Sequence, residues 1–431
     1  MKSIQPVSKA LSFILHPNRR NFFIYSLGAL FLKGVSFFLI PLYTNLLSTA
    51  EFGSYDLLRN FGSITEIVFS LGLLQLIYVE FFDKNQESKT KFISSFLSIY
   101  LLLSTILYIV LAIFMYLYGS LLLPGIKFAL IVMVLLTTYL NFFQVMLITV
   151  MKLSFQALKV SILQVVLGCT NLALNIVLVY GLKTGIDGII LSTLIITILS
   201  CCFGVIYFRK QLLKFKISFS LSEAKNYLSF SFPFIPNVLS FWIMNSANRW
   251  ILLNYSGLHE VGIYSAAARI TAVFEPLLIE PFISAYTPVI LSRFKEGIYK
   301  QEFLLRIISV PFIFMFIGYI LQQLGGWVIG DAFQESLKLI IPLSVMYAFN
   351  LLAQSSALIL IHKKMVNRML LCVLAGSISC ISISFILIPH FGSTGAVAGS
   401  LAGNIIWAGL VTISAMLVLK KSANTNNLMQ N

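Results

Sequence analysis

The feature that most constrains this chain is a succession of twelve apolar runs, each long enough to cross a bilayer as a helix. The first six are Asn21–Ile40, Tyr55–Val79, Phe92–Leu117, Lys127–Met151, Val160–Tyr180 and Ile186–Phe208. The second six are Tyr227–Leu253, Ile263–Leu291, Phe303–Leu324, Leu337–Ile361, Met369–Ile388 and Thr394–Leu419. A helix rises ~1.5 Å per residue, so ~20 residues cover the ~30 Å hydrocarbon layer. The runs do not alternate polar and apolar residues as barrel strands do. The expected fold class is therefore an all-α polytopic membrane protein with twelve transmembrane helices. Only 10% of the 431 residues are charged and 58% are strongly apolar, which excludes a soluble enzyme and a disordered chain.

Charge sets the expected orientation. The net charge is +15. With the N-terminus in the cytoplasm, inner segments hold 22 Lys and Arg and outer loops only Lys127, Lys183 and Lys338. Cytoplasmic retention of basic loops accounts for that bias without a nucleic-acid partner, and it places both termini inside. The first run lacks a small-residue cleavage site and reads as a retained span. Five cysteines lie in apolar runs and four histidines are scattered, so neither a disulfide framework nor a metal site is expected. The short outer loops leave no room for a catalytic domain, so the chain is not expected to be an enzyme.

The chain also repeats itself. Glu51-Phe-Gly53-Ser-Tyr55 recurs as Glu260-Val-Gly262-Ile-Tyr264, an offset of 209. Glu66 and Glu275 are also 209 apart, whereas Arg59 and Arg269, Gln144 and Gln354, and Thr184-Gly185 and Thr394-Gly395 are 210 apart. Several matches at one offset indicate a duplication. Six spans, an even number, separate equivalent positions, so the expected arrangement is two parallel six-helix lobes. Their expected bounds are 1–208 and 227–431, joined by a basic cytoplasmic linker, 209–226.

Charges inside the spans point to function. A charge at the bilayer centre costs about 2.5–3.5 kcal/mol on insertion scales, so retained ones mark functional or paired positions. Here they concentrate in the first two spans of each half: Lys33; Asp56, Arg59 and Glu66; Arg249; Arg269, Glu275 and Glu280. The four cations Lys33, Arg59, Arg249 and Arg269 suit an anion, above all a pyrophosphate, which Arg binds with two parallel hydrogen bonds. Alternatively, Asp56 pairs with Arg59 three residues on, and Arg249 snorkels to the outer interface. Glu66, Glu275 and Glu280 are candidates for coupling to Na⁺ or H⁺; for Glu66 and Glu275 the alternative is a structural partnership with Lys33 or Arg249. Glu275 and Glu280 each precede a proline, which favours a broken helix.

Several of these segments together carry a resemblance. They are Pro41-Leu-Tyr43-Thr44 before Glu51–Tyr55, Pro233-Phe-Ile-Pro236 leading to Asn245-Ser-Ala-Asn248-Arg249, Gly262-Ile-Tyr264-Ser265, and Gly392-Ser-Thr-Gly395-Ala396. The whole chain resembles the polysaccharide-export (Wzx-type) flippases, in the superfamily that includes MATE multidrug exporters and the lipid II flippase. The resemblance implies a flippase that moves an undecaprenyl-pyrophosphate-linked oligosaccharide, for O-antigen, capsule or a similar glycan, to the outer leaflet of a bacterial inner membrane. Tyr43, Asn45, Asn237, Asn245 and Asn248 are candidates for contacting the sugar. Relatives often carry Asp where this chain has Asn248, so that position brings no coupling carboxylate. No cofactor is expected beyond a coupling ion. The expected partners are the lipid-linked substrate, the bilayer, a glycan polymerase and the chain-length machinery. The rival readings are a lipid II flippase and a MATE-like drug or cation exporter; the basic residues of the leading helices argue against the exporter.

Overall fold

The computed structural model describes residues 28, 31, 34–35, 38–83, 86–154, 156–212, 221–284, 287 and 300–430. Lys33, most of the first span and the linker residues 213–220 lie outside the described residues. Those described form helices joined by short turns, as twelve spans require. Among the described residues, seven helical stretches are long and apolar enough to cross a membrane. One of them, Val366–Val418, has 53 residues, enough for two crossings.

Several boundaries differ from the sequence reading, each for a local reason. The second span is expected from Tyr55, yet its helix α1 starts at Thr49 and runs to Ser70. Ser48 and Glu51 form a reciprocal cap there. The Ser48 N–H and hydroxyl donate to Glu51 Oε2 at 2.9 and 2.8 Å, and the Glu51 N–H donates back to Ser48 Oγ at 3.3 Å. The same span breaks after Ser70 and resumes as α2, Leu74–Asp83. Gly72, at φ 69°, sits in the break, and a Cβ there would lie 2.7 Å from the Ser231 carbonyl oxygen. Glycine is required on both counts.

The chain divides into two compact units: residues 61–235 with the preceding 1–39, and residues 40–60 with 236–431. In the first unit α3 (Gln86–Leu122), α4 (Phe128–Leu153), α5 (Ala157–Asn175) and α6 (Gly185–Leu212) surround a core that includes Phe96, Tyr100, Phe142 and Met146. Tyr100 stacks on Phe142 at 3.6 Å between ring centroids. The outward face of α3 is as apolar as its core face: Leu102, Ile106, Ile109, Ile113, Leu117 and Leu121 are all exposed. Their spacing of three and four makes one helical stripe. In water it would drive association, whereas lipid solvates it.

Helix α7 (Leu221–Ser231) and a 3₁₀ turn at Phe232–Phe234 close the first unit, and the second resumes within α8, Ile235–Ser246. Pro233 lies in the turn and Pro236 in the first turn of α8, where a missing N–H is tolerated. Helix α9, Asn248–Thr271, breaks at Gly257 (φ 79°), which separates the seventh span from the eighth. A wide π turn follows at Glu275–Ile279, where Pro276 withholds a hydrogen bond. After α10 (Lys300–Val328) and a 3₁₀ helix at Asp331–Leu339 come α11 (Ile340–His362) and α12 (Val366–Gln430). Helix α12 reverses at Gly392 (φ 53°), between the expected eleventh and twelfth spans. Its two halves pack through small residues four apart: Gly376, Cys380 and Ser384 against Gly399 and Gly403. A Cβ on Gly403 would lie 2.6 Å from that of Cys380. Lipid tails supply no hydrophobic drive between helices, so close backbone packing of this kind supplies the attraction.

Candidate functional site

The duplicated pattern positions the site, and each of its residues has a local task. Gly53 and Gly262 let α1 and α9 touch backbone to backbone. A Cβ on Gly53 would lie 2.2 Å from the Leu258 carbonyl oxygen, and one on Gly262 would lie 2.0 Å from that of Thr49. Thr49 and Leu258 are themselves 209 apart, so the crossing is symmetric between the repeats. The two glutamates both satisfy helix N-termini. Glu51 caps its own helix, whereas Glu260 accepts the Ser393 N–H at 2.8 Å, where the second half of α12 begins.

One turn beyond the crossing lies Asp56, only 3% exposed. Its Oδ2 accepts Arg249 Nε at 2.5 Å and the Ser265 hydroxyl at 2.7 Å. Its Oδ1 accepts Arg269 through Nη2 at 2.9 Å and Nε at 3.2 Å. Asp56 and Ser265 are again repeat equivalents, 209 apart. Arg249 also donates to the Asn245 carbonyl at 2.6 Å. The tyrosines of the pattern complete the enclosure. The Arg269 guanidinium lies 4.5 Å from the Tyr55 ring centroid and 4.9 Å from that of Phe52, and Arg249 lies 5.1 Å from that of Tyr264. Aromatic faces favour cations most where water is excluded. Two guanidiniums thus share one carboxylate, and the cluster retains a positive excess.

Both alternatives offered for these cations are corrected. Asp56 does not pair with its near neighbour Arg59; it turns to the other repeat. Arg249 does not snorkel outward; it is 9% exposed and held by Asp56. Arg59 is exposed and forms no ion pair among the described residues. The two repeat-related carboxylates receive carboxamides from the fourth helix of their own repeat. Asn141 Nδ2 donates to Glu66 at 2.9 Å, and Gln354 Nε2 approaches Glu275 at 3.4 Å while donating to Asn350 at 2.6 Å. Arg249, one of the two partners expected for these glutamates, is held by Asp56 instead, and the other, Lys33, lies outside the described residues. Glu280 is exposed.

The candidate sugar contacts divide. Asn45 and Asn245 are exposed, each donating to a carbonyl four residues back. Asn237 is half-buried, and its Oδ1 accepts no bond among the described residues. Tyr43 is buried, edge-on to Tyr55. Asn248 is corrected outright. It is fully buried, donates to the Ala396 carbonyl and Ser400 Oγ at 3.0 and 2.6 Å, and accepts from Ser384 at 2.7 Å. Its amide is consumed in joining α9 to both halves of α12. Sequence reasoning missed Ser265, Asn141, Phe52 and Tyr55 as partners of charge. The 209 offset was the available signal for Ser265. Among the described residues no three His, Cys, Asp or Glu side chains converge as metal ligands would.

A duplicated bundle of apolar helices with paired charges inside it defines a multi-pass membrane transporter. The model for the polysaccharide biosynthesis protein family matches residues 19–294, and the chain belongs to that family. No match is found among curated protein sequences. Among solved structures, the chain is similar to an inward-facing multidrug-resistance MATE transporter of the MOP superfamily, with TM-score 0.69 and 16% identity over 91% of this chain and 96% of that one. It is similar to the lipid II flippase MurJ in an inward closed conformation, with TM-score 0.65 and 15% identity over 94% and 93%. A Vibrio cholerae MATE transporter, VcmN, matches at TM-score 0.50 and 16% identity over the full length of both chains. At such identities the likeness is one of fold. Family and fold are those of membrane transporters and flippases, not of catalytic enzymes.

Proposed function

We propose that this protein is a flippase for an oligosaccharide carried on a polyprenyl diphosphate. It would move the substrate from the cytoplasmic to the outer leaflet of a bacterial inner membrane by alternating access, with both termini in the cytoplasm. The observation that carries the reading is the pair Arg249 and Arg269, largely buried in a transporter of the polysaccharide biosynthesis family and opposed, among the described residues, by a single carboxylate. A diphosphate offers more charge and more acceptor oxygens than one aspartate. It suits guanidiniums, whose fork matches two phosphate oxygens at once. Arg59, exposed on the same helix as Asp56, would add to the head-group site; Lys33, the fourth cation of the sequence, lies outside the described residues.

The sugar must pass through a polar, aromatic environment. Asn45, Asn237 and Asn245 have the chemistry for it, as has Tyr43, two residues before Asn45. Glu66 and Glu275 are the coupling candidates, each buried enough that its charge state matters and each held by an uncharged carboxamide, which tolerates a bound proton or cation. Glu280 is the weaker candidate because it is exposed. A glycan polymerase and chain-length machinery would receive the product, for O-antigen in lipopolysaccharide or for capsule. The test is surface-glycan display in a strain lacking the gene, complemented with Arg249→Ala or Arg269→Ala at matched membrane protein level. Loss of glycan supports the reading, and normal display refutes it. A lipid II substrate is distinguished by cell lysis on depletion, which a surface-glycan flippase does not cause.

A further inference from the structure

The same geometry suggests how the head-group site is emptied. We propose that Asp56 is a built-in competitor of the substrate: it fills the arginine pair before the lipid diphosphate arrives and reclaims the pair when the diphosphate leaves. This rests on the reading of Arg249 and Arg269 as the diphosphate site. Four observations support it. Asp56 uses both carboxylate oxygens on the two guanidiniums, through Arg249 Nε and through Arg269 Nε and Nη2, as a phosphate would. It is held in that pose by an uncharged donor, Ser265, at 2.7 Å. Its ion pairs go to Arg249 and Arg269 and not to Arg59, the cation only three residues away on its own helix, which would be the simpler partner were charge neutralisation the whole purpose. And it reaches from the first repeat into the second, so releasing it would loosen the attachment of residues 40–60 to the unit formed with 236–431.

The physical need is clear. Two buried guanidiniums without an anion would be costly in a low-dielectric interior, and a diphosphate bound to them would be slow to leave. An internal carboxylate removes both problems. It neutralises part of the charge in the empty state, and it lowers the net affinity for substrate by the free energy of the contacts that must first be broken. A ligand that binds by displacing an internal partner shifts the equilibrium only by its differential affinity. The diphosphate therefore wins by its larger charge and by recruiting Arg59, which Asp56 leaves free of any ion pair among the described residues.

A merely structural Asp56 and a competing Asp56 predict opposite signs. The experiment uses the full-length protein in phosphatidylcholine nanodiscs, with farnesyl diphosphate as the lipid-linked probe and inorganic pyrophosphate as the head-group probe. Asp56→Asn keeps the shape and removes the charge. It should bind farnesyl diphosphate at least about tenfold more tightly than the natural chain, the change one charge-assisted contact is worth. It should also show less glycan in cells, because release slows. Ser265→Ala retains every charge, and should tighten binding by a smaller factor even if Asp56→Asn folds poorly. Inorganic pyrophosphate should follow the same ranking. Weaker or unchanged binding in both variants overturns the proposal, as does tightening confined to the farnesyl compound, which would assign it to the lipid tail. Arg249→Ala separates the two failures. If it weakens binding while Asp56→Asn does not strengthen it, the diphosphate site stands and the competitor falls; if it leaves binding unchanged, both fall.

Discussion

Adding one methyl group at Gly262 should separate the two repeats where they touch. A Cβ there meets the Thr49 carbonyl oxygen at 2.0 Å and its carbon at 2.8 Å. Both are backbone atoms, so no side-chain rotation relieves the clash, and α1 must retreat from α9 by about 1.4 Å to restore ordinary contact. That movement is transmitted one turn along, where the 2.5 Å contact between Asp56 and Arg249 has no slack. Overpacking of this kind costs about 1–3 kcal/mol, offset by up to about 1 kcal/mol of helix propensity gained when Gly becomes Ala. Gly53→Ala should cost a similar amount, since its Cβ would lie 2.2 Å from the Leu258 carbonyl oxygen. One retreat relieves both clashes, so the double variant should be less destabilised than the two single costs combined, by about 0.5 kcal/mol or more. Gly409→Ala is the control, with nothing within 4 Å of its Cβ. The assay is thermal unfolding in detergent followed by tryptophan fluorescence. Equal stability of Gly262→Ala and Gly409→Ala, or strict additivity of the pair, would refute the symmetric crossing.

Other consequences are as direct. Asn248→Ala leaves the Ala396 carbonyl and two serine hydroxyls short of a partner in a buried network; it should lower thermal stability by about 1–3 kcal/mol per group left unsatisfied without changing affinity for farnesyl diphosphate. Glu66→Gln or Glu275→Gln should alter the dependence of transport on an imposed Na⁺ or H⁺ gradient, and unchanged dependence in both would remove them from coupling. Reporters fused after Lys421 and within 209–226 should read as cytoplasmic, and those near Lys183 and Gly257 as external; an external linker would contradict the parallel-repeat topology.

Much of the architecture was legible because it follows from solvent. Apolar runs must be helices in lipid, and the 209 offset survives in Gly53 and Gly262 since only glycine permits that crossing. The broken helix at Pro276 was legible for the same kind of reason: proline cannot donate. Pairing was less legible. Asp56 and Arg59 lie one helical turn apart in sequence, which suggests a local pair, yet the nearness of α9 at the glycine crossing brings two arginines and Ser265 closer to the carboxylate than its own neighbour. Asn248 was misjudged because an asparagine beside a buried arginine reads as a ligand contact. Only the reversal at Gly392, which brings Ser384, Ala396 and Ser400 around it, makes it a structural joint. The Ser48–Glu51 cap was readable from its spacing and moves the helix start ahead of Tyr55.

The central claim is that Arg249 and Arg269 hold a substrate diphosphate. It is tested most directly by surface-glycan display measured beside membrane protein level for Arg249→Ala, Arg269→Ala and Arg249→Lys. Each alanine variant should reach the membrane and display no glycan. Arg249→Lys should recover only part of the display, because an ammonium cannot reproduce the two-pronged contact of a guanidinium. Normal display by both alanine variants at normal protein level would contradict it and leave the arginines as partners of Asp56 alone.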